Sequence, residues 1–265
     1  MDSRAWTGDR AGVVTLVLLL LVTVAAWAGV VVQATAMPMG DDRASSAALL
    51  LGPTGLVAFV AAWVVMMTAM MLPSAAPMIL LYRAVARGRA TRGDPLVPTW
   101  SFVLGYLAVW AAVGGAVFLA DRLVGVALEH DARLAAWAPY GVALVLLAAG
   151  VYQFTPLKRV CLRACQHPLG FLVRYWRAGS AGAFRMGLAH GWYCTGCCWG
   201  LMAVLVAAGA MGLAWVLLIA LVVAAEKLLP VGEWAARLTG ATLLALGALV
   251  ALQPRLALAM RGHGM

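Results

Sequence analysis

The chain has 265 residues, of which 65% are hydrophobic and only 11% charged, with a mean hydropathy of +0.94. That balance excludes an ordinary water-soluble globule and predicts an integral membrane protein. The net charge of +9 needs no nucleic acid as a partner, because basic loops at a membrane surface meet anionic lipid.

Seven apolar runs are long enough to approach a crossing of about 30 Å of hydrocarbon: 11–32, 56–81, 99–120, 139–156, 187–210, 212–229 and 238–253. They predict an all-α, polytopic transmembrane bundle of about seven helices. Six remain possible, because 207–212 leaves almost no loop between two of the runs. Residues 1–265 then form a single integral membrane domain, with 157–186 as its longest cytoplasmic loop. Short loops rich in Lys and Arg stay inside, and Arg83, Arg87, Lys158, Arg163, Arg174 and Lys227 fall together when the N-terminus is inside. The expected location is the inner, cytoplasmic membrane.

The first run ends near Ala34-Thr35-Ala36, which resembles a signal cleavage site, but its apolar core is longer than a signal's and reads as a retained helix. The loop after it carries Met37-Pro38-Met39, read as a solvent-facing turn. In the second run, WVVMMTAMMLPSAAPM sets Met67, Met71, Ser74 and Met78 on one helical face, with Met66 and Met70 on the next. Thioethers suit copper(I), and methionine equally fills irregular gaps in a core. Pro73 and Pro77 are expected to kink this helix.

The third run, with Tyr106, Trp110 and Gly114-Gly115, reads as scaffold. Asp121, Glu129, His130 and Asp131 read as a solvated outer loop. After the fourth run, LKRVCLRACQHP places Cys161 and Cys165 at i and i+4, with His167 close by. This pair suits a two-coordinate copper(I) relay or an exchangeable dithiol, with nearby Arg and Lys favouring the thiolate.

The fifth run holds the densest chemistry, HGWYCTGCCW. At about 100° per residue, His190, Cys194 and Cys198 fall successively about 40° apart, with Cys197 beside them. One sector thus presents an imidazole and three thiols, donors for copper(I) or zinc. Gly187, Gly191, Gly196 and Gly200 on the same segment predict tight helix packing. At about 1.5 Å per residue, Met70 and Met71 lie roughly 17 Å from the inner edge. Cys194 to Cys198 lie roughly 10 to 17 Å from it. The expected site therefore joins the second and fifth runs at one depth. In the sixth run Glu226 is a candidate proton acceptor, a partner for His190 or half of a local salt bridge, and Lys227 is expected to snorkel to the surface.

MMTAMMLPSAAPM, YQFTPLKRVCLRACQHP, HGWYCTGCCWGLM and the Glu226-Lys227 pair together resemble the predicted metal-binding integral membrane protein family, domain of unknown function 2182, from about residue 63 to 227. That resemblance implies a polytopic membrane protein with a metal site at His190, Cys194, Cys197 and Cys198.

The expected function is handling of a soft transition metal, Cu(I) before Zn, by delivery, storage or transport. A cytoplasmic metal carrier is the expected partner. Two alternatives use the same side chains. One is an enzyme, a membrane thiol-disulfide oxidoreductase working through Cys194-Thr195-Gly196-Cys197, a CxxC spacing. The other is a scaffold or assembly factor with a closed structural zinc site.

Overall fold

A computed structural model describes residues 10–36, 53–93, 95, 97–209 and 212–257. Met37-Pro38-Met39 lies outside the described residues. All regular structure among them is helical: α1 (Arg10–Ala36), α2 (Pro53–Ala90), α3 (Thr99–His130), α4 (Ala132–Gln153), α5 (Pro156–Gln166), α6 (Pro168–Tyr175), α7 (Gly179–Gly209), α8 (Leu213–Leu228) and α9 (Gly232–Leu252).

Five of these, α1, α2, α3, α4 and α9, are long and apolar enough to cross a membrane. The other two expected crossings differ for separate reasons. In α7 the polar and aromatic His190, Trp192, Tyr193 and Trp199 dilute the apolar run, and α8 has only 16 residues. Leu18, Leu21 and Val24 on α1 and Leu119, Leu123 and Val124 on α3 are among many large apolar side chains left exposed. Such a surface is unfavourable in water and matches hydrocarbon.

The helices are longer than the apolar runs forecast. α2 continues unbroken through Pro73 and Pro77, and the Ser74 hydroxyl donates to the Met71 carbonyl at 2.9 Å near the prolines. α3 runs through Asp121 and Glu129 to His130. The expected outer loop is therefore mostly helix, and Asp131 accepts from the Arg133 N–H at 2.8 Å to cap α4.

Glycine decides which helices approach closely. An α-carbon without a side chain lets α3 and α7 pack backbone to backbone: a Cβ at Gly187 would meet the Phe102 carbonyl, and one at Gly105 the Phe184 carbonyl. Farther along α7, a methyl at Gly196 would lie 2.7 Å from the Cys161 sulfur of α5. Gly200 faces Ala149 of α4. The glycines expected to form one interface therefore serve three. Gly187→Ala is expected to cost about 1–3 kcal/mol, because backbone cannot yield as a side chain can. Thermal unfolding in detergent checks this; an unchanged midpoint would show that the crossing is slack.

The segment 157–186 is built as two short helices that fold back on the bundle, α5 and α6, followed by the first turns of α7 from Gly179. Thr155 caps α5 by accepting from the Lys158 N–H at 3.3 Å, with Pro156 in the first turn. α5 is strongly amphipathic, burying Lys158, Cys161 and Leu162 while Arg159 and Arg163 face out. It lies against α7 and α8. Arg163 pairs with Glu233 of α9 at 2.9 Å on the exposed side, a contact worth about 0–1 kcal/mol.

Candidate metal centre

Cys194, near the middle of α7, has the densest set of polar and sulfur contacts in the described structure. Its sulfur lies 3.0 Å from the Lys227 ammonium of α8 and 3.2 Å from the Tyr106 hydroxyl of α3. The Lys227 ammonium also reaches the Met71 sulfur of α2 at 3.6 Å. The Cys165 thiol, carried on α5, is a neighbour of Cys194 and Cys197. Cys197 and Cys198 each donate S–H to the Cys194 carbonyl at 3.0 Å. Five helices thus converge on one buried sulfur-rich point, where Cys194, Cys197 and Cys198 are each 1% exposed.

The four residues forecast on one face of α7 are all buried, with His190 one turn before Cys194. The His190 ring lies between Tyr106 at 5.7 Å, Phe102 at 5.9 Å and Phe171 of α6 at 5.4 Å between centroids. Its Nδ1 is buried without a hydrogen-bond partner. A buried, unpaired imidazole nitrogen is costly, and it is a donor atom free to take a ligand. Among the described residues, no group of three or more His, Cys, Asp or Glu side chains is placed to hold a metal ion as the side chains stand. The protons of Cys197 and Cys198 are turned to the Cys194 carbonyl.

The methionines on α2 are all buried: Met67 and Met71 fully, Met70 and Met78 nearly so. Of these, Met71 reaches the Cys194 centre, and it does so across Lys227. α3 and α8 are the helices that pack on both α2 and α7. Met67 and Met78 extend along α2, the latter seven residues or about 10 Å beyond Met71.

Several sequence expectations change at this point. Cys161 and Cys165 share a helix face and both lie along α7: Cys165 neighbours Cys194 and Cys197, and Cys161 packs on Gly196. Burial pushes the Cys161 thiol up from its ordinary value, the reverse of the expected thiolate, because Arg159 and Arg163 point outward. His167 is exposed at the α5–α6 junction, away from the thiols. Lys227 does not snorkel. It turns inward and is 6% exposed.

Glu226 makes no contact with His190. Its carboxylate accepts from Lys158 of α5 at 2.6 Å and from Gln153 of α4 at 3.2 Å, all three residues buried. Gln166 donates to the Glu226 carbonyl at 2.8 Å. This network fastens the end of α8 to α4 and α5, which sets Lys227 and Cys165 against Cys194 from opposite helices. Glu226 and Lys227 are neighbours in sequence with different partners, a division that helical geometry alone does not reveal.

Two contributors escaped the reading of the sequence. Tyr106 lay in a helix taken as scaffold, and Gly105 beside it is what brings that helix close enough for contact with Cys194. Lys227 carried a usable signal, since a charge inside an apolar helix marks function by default, but its place near the helix end suggested snorkelling.

Residues 60–250 match the family model PpoB2, described as copper chaperone. No curated protein and no solved structure matches the chain.

Proposed function

Because this chain belongs to the PpoB2 copper chaperone family, we propose that it receives Cu(I) as cargo at the buried thiols around Cys194 and passes it on. The observation that carries this reading is the burial of Cys194, Cys197 and Cys198 beside Lys227 and Met71, with α5 and its Cys165 packed on the same helix. Soft thiolates select Cu(I), and thiols brought from two helices can open and close around an ion as one helix moves. Cys198, His190 and Met71 stand next to them as further donors. Met67, Met70 and Met78 supply weaker thioethers along α2.

The place of the site supports delivery over passage through the bilayer. Cys194 faces Lys227, one residue from the end of α8. Met71 lies 18 residues, about 27 Å, from the start of α2, close to the full thickness of a hydrocarbon core. On this reading the thiols lie towards the edge of the apolar layer that α5 covers. With basic loops inside, that edge faces the cytoplasm of an inner-membrane protein. A cytoplasmic metal carrier would meet it there, with Cys161 and His167 on the approach.

Elemental mass spectrometry on protein purified anaerobically without a metal-affinity tag tests this. Near-stoichiometric copper is expected, lost when Cys165 and Cys194 are both alanine. Zinc lost in the same way would support the structural-zinc reading instead. Absence of metal, with Cys194 and Cys197 trapped as a disulfide, would support the oxidoreductase.

A further inference from the structure

We propose that Lys227 is the counter-charge that tunes this site to a monovalent soft cation held between two thiolates. The proposal rests on the copper reading above. Its starting point is an imbalance of charge. Lys227 is buried, and among the described residues no carboxylate lies within salt-bridge reach of its ammonium. The adjacent carboxylate, Glu226, is taken by Lys158 and Gln153. The acceptors left to Lys227 are two sulfur atoms, Cys194 at 3.0 Å and Met71 at 3.6 Å. A lone buried ammonium is expensive, and a low-dielectric interior demands an anion beside it.

The thiols divide into two kinds. Cys197 and Cys198 both turn their protons to the Cys194 carbonyl. Cys194 on α7 and Cys165 on α5, which pack together, are neighbours, and no hydrogen bond ties the Cys194 sulfur to a backbone carbonyl among the described residues. These two are the pair set to grip an ion from α7 and α5, with Met71 and Tyr106 at the sides. When a metal binds there, two metal–sulfur bonds form, the thiols give up their protons to water, and no electron changes hands.

The valence of the ion then decides the charge that stays buried. A monovalent cation with two thiolates is an anion of one unit, and Lys227 makes the whole site neutral. A divalent cation with the same two thiolates is already neutral, and Lys227 is left as an uncompensated positive charge. Removing the ammonium reverses the order: the monovalent complex becomes a lone buried anion and the divalent one becomes neutral. Lys227 thus selects Cu(I), and its redox-inert monovalent analogue Ag(I), over Zn(II) and Cd(II).

The test compares the full chain in detergent with Lys227→Met and Lys227→Arg, titrating Cu(I) and Ag(I), then Zn(II) and Cd(II), against chelators of known affinity. Lys227→Met is expected to lose about 100-fold in monovalent affinity while its divalent affinity holds or rises. Lys227→Arg is expected to keep the wild-type order. If Lys227→Met does not fold, Lys227→Gln, which is neutral but can donate to sulfur, carries the same comparison. A neutral variant that binds Ag(I) as tightly as wild type overturns the role of Lys227 and leaves the copper site standing. Wild-type protein that takes up neither Cu(I) nor Ag(I) overturns both.

Discussion

Cys194→Ala is expected to reduce bound copper to background in anaerobically purified protein, while Met71→Leu lowers affinity by about tenfold and leaves the site occupied at saturating metal. The contrast follows from chemistry and position. A thiolate brings charge and a soft donor together, whereas a thioether brings only the donor. Cys194 is also where the contacts meet: its sulfur touches Lys227 and Tyr106, and its carbonyl accepts from the thiols of Cys197 and Cys198. Its removal leaves Cys165 with no thiol across from it except Cys197, whose proton is held by a backbone carbonyl. Elemental mass spectrometry after dialysis reads the first effect, and competition with a chelator reads the second. Wild-type copper in Cys194→Ala would move the ion to another group of donors and remove the basis for assigning Lys227 a role.

Glu226→Ala is expected to be the most destabilising single change, at about 3–5 kcal/mol. The substitution strands the Lys158 ammonium, 1% exposed, without its carboxylate. It also frees Gln153 Nε2. Removing both charges together by Lys158→Met with Glu226→Leu is expected to recover most of the loss, since the desolvation cost disappears along with the pair. Thermal unfolding in detergent measures both. Equal destabilisation of the single and double variants would show that the hydrogen bonds to Gln153, and not the charges, hold this corner. The corner matters to the metal centre because α8 presents Lys227 from the residue next to Glu226. Glu226→Ala is accordingly expected to loosen copper binding as well, whereas the double variant retains it.

Much of the fold could be read from composition and period. Apolar runs fix where helices form, and five of the seven expected crossings are helices long and apolar enough for the task. The other two expected runs, in α7 and α8, carry His190, the α7 thiols and Lys227; α7 interleaves polar and aromatic residues, and α8 is apolar but only 16 residues long. Helix ends were less legible. α2 and α3 run well past their apolar cores, and the added turns of α3 over 121–130 are mostly exposed.

The sequence by itself determined that His190, Cys194, Cys197 and Cys198 share one side of a helix, that Met67, Met71 and Met78 share another, and that glycine lines the cysteine helix. Each of these depends on the 3.6-residue period and on residues close together in the chain. Only the tertiary structure decided that Cys165 neighbours Cys194 and Cys197 while Cys161, one turn away, packs on Gly196. It alone turned Lys227 inward to sulfur, gave Glu226 to Lys158, and set Tyr106 against the central thiol. These contacts join residues 29 to 156 positions apart, and they depend on how closely the helices that carry them can approach. At the α3–α7 crossing that approach is set by Gly105 and Gly187, where any side chain would strike a backbone carbonyl.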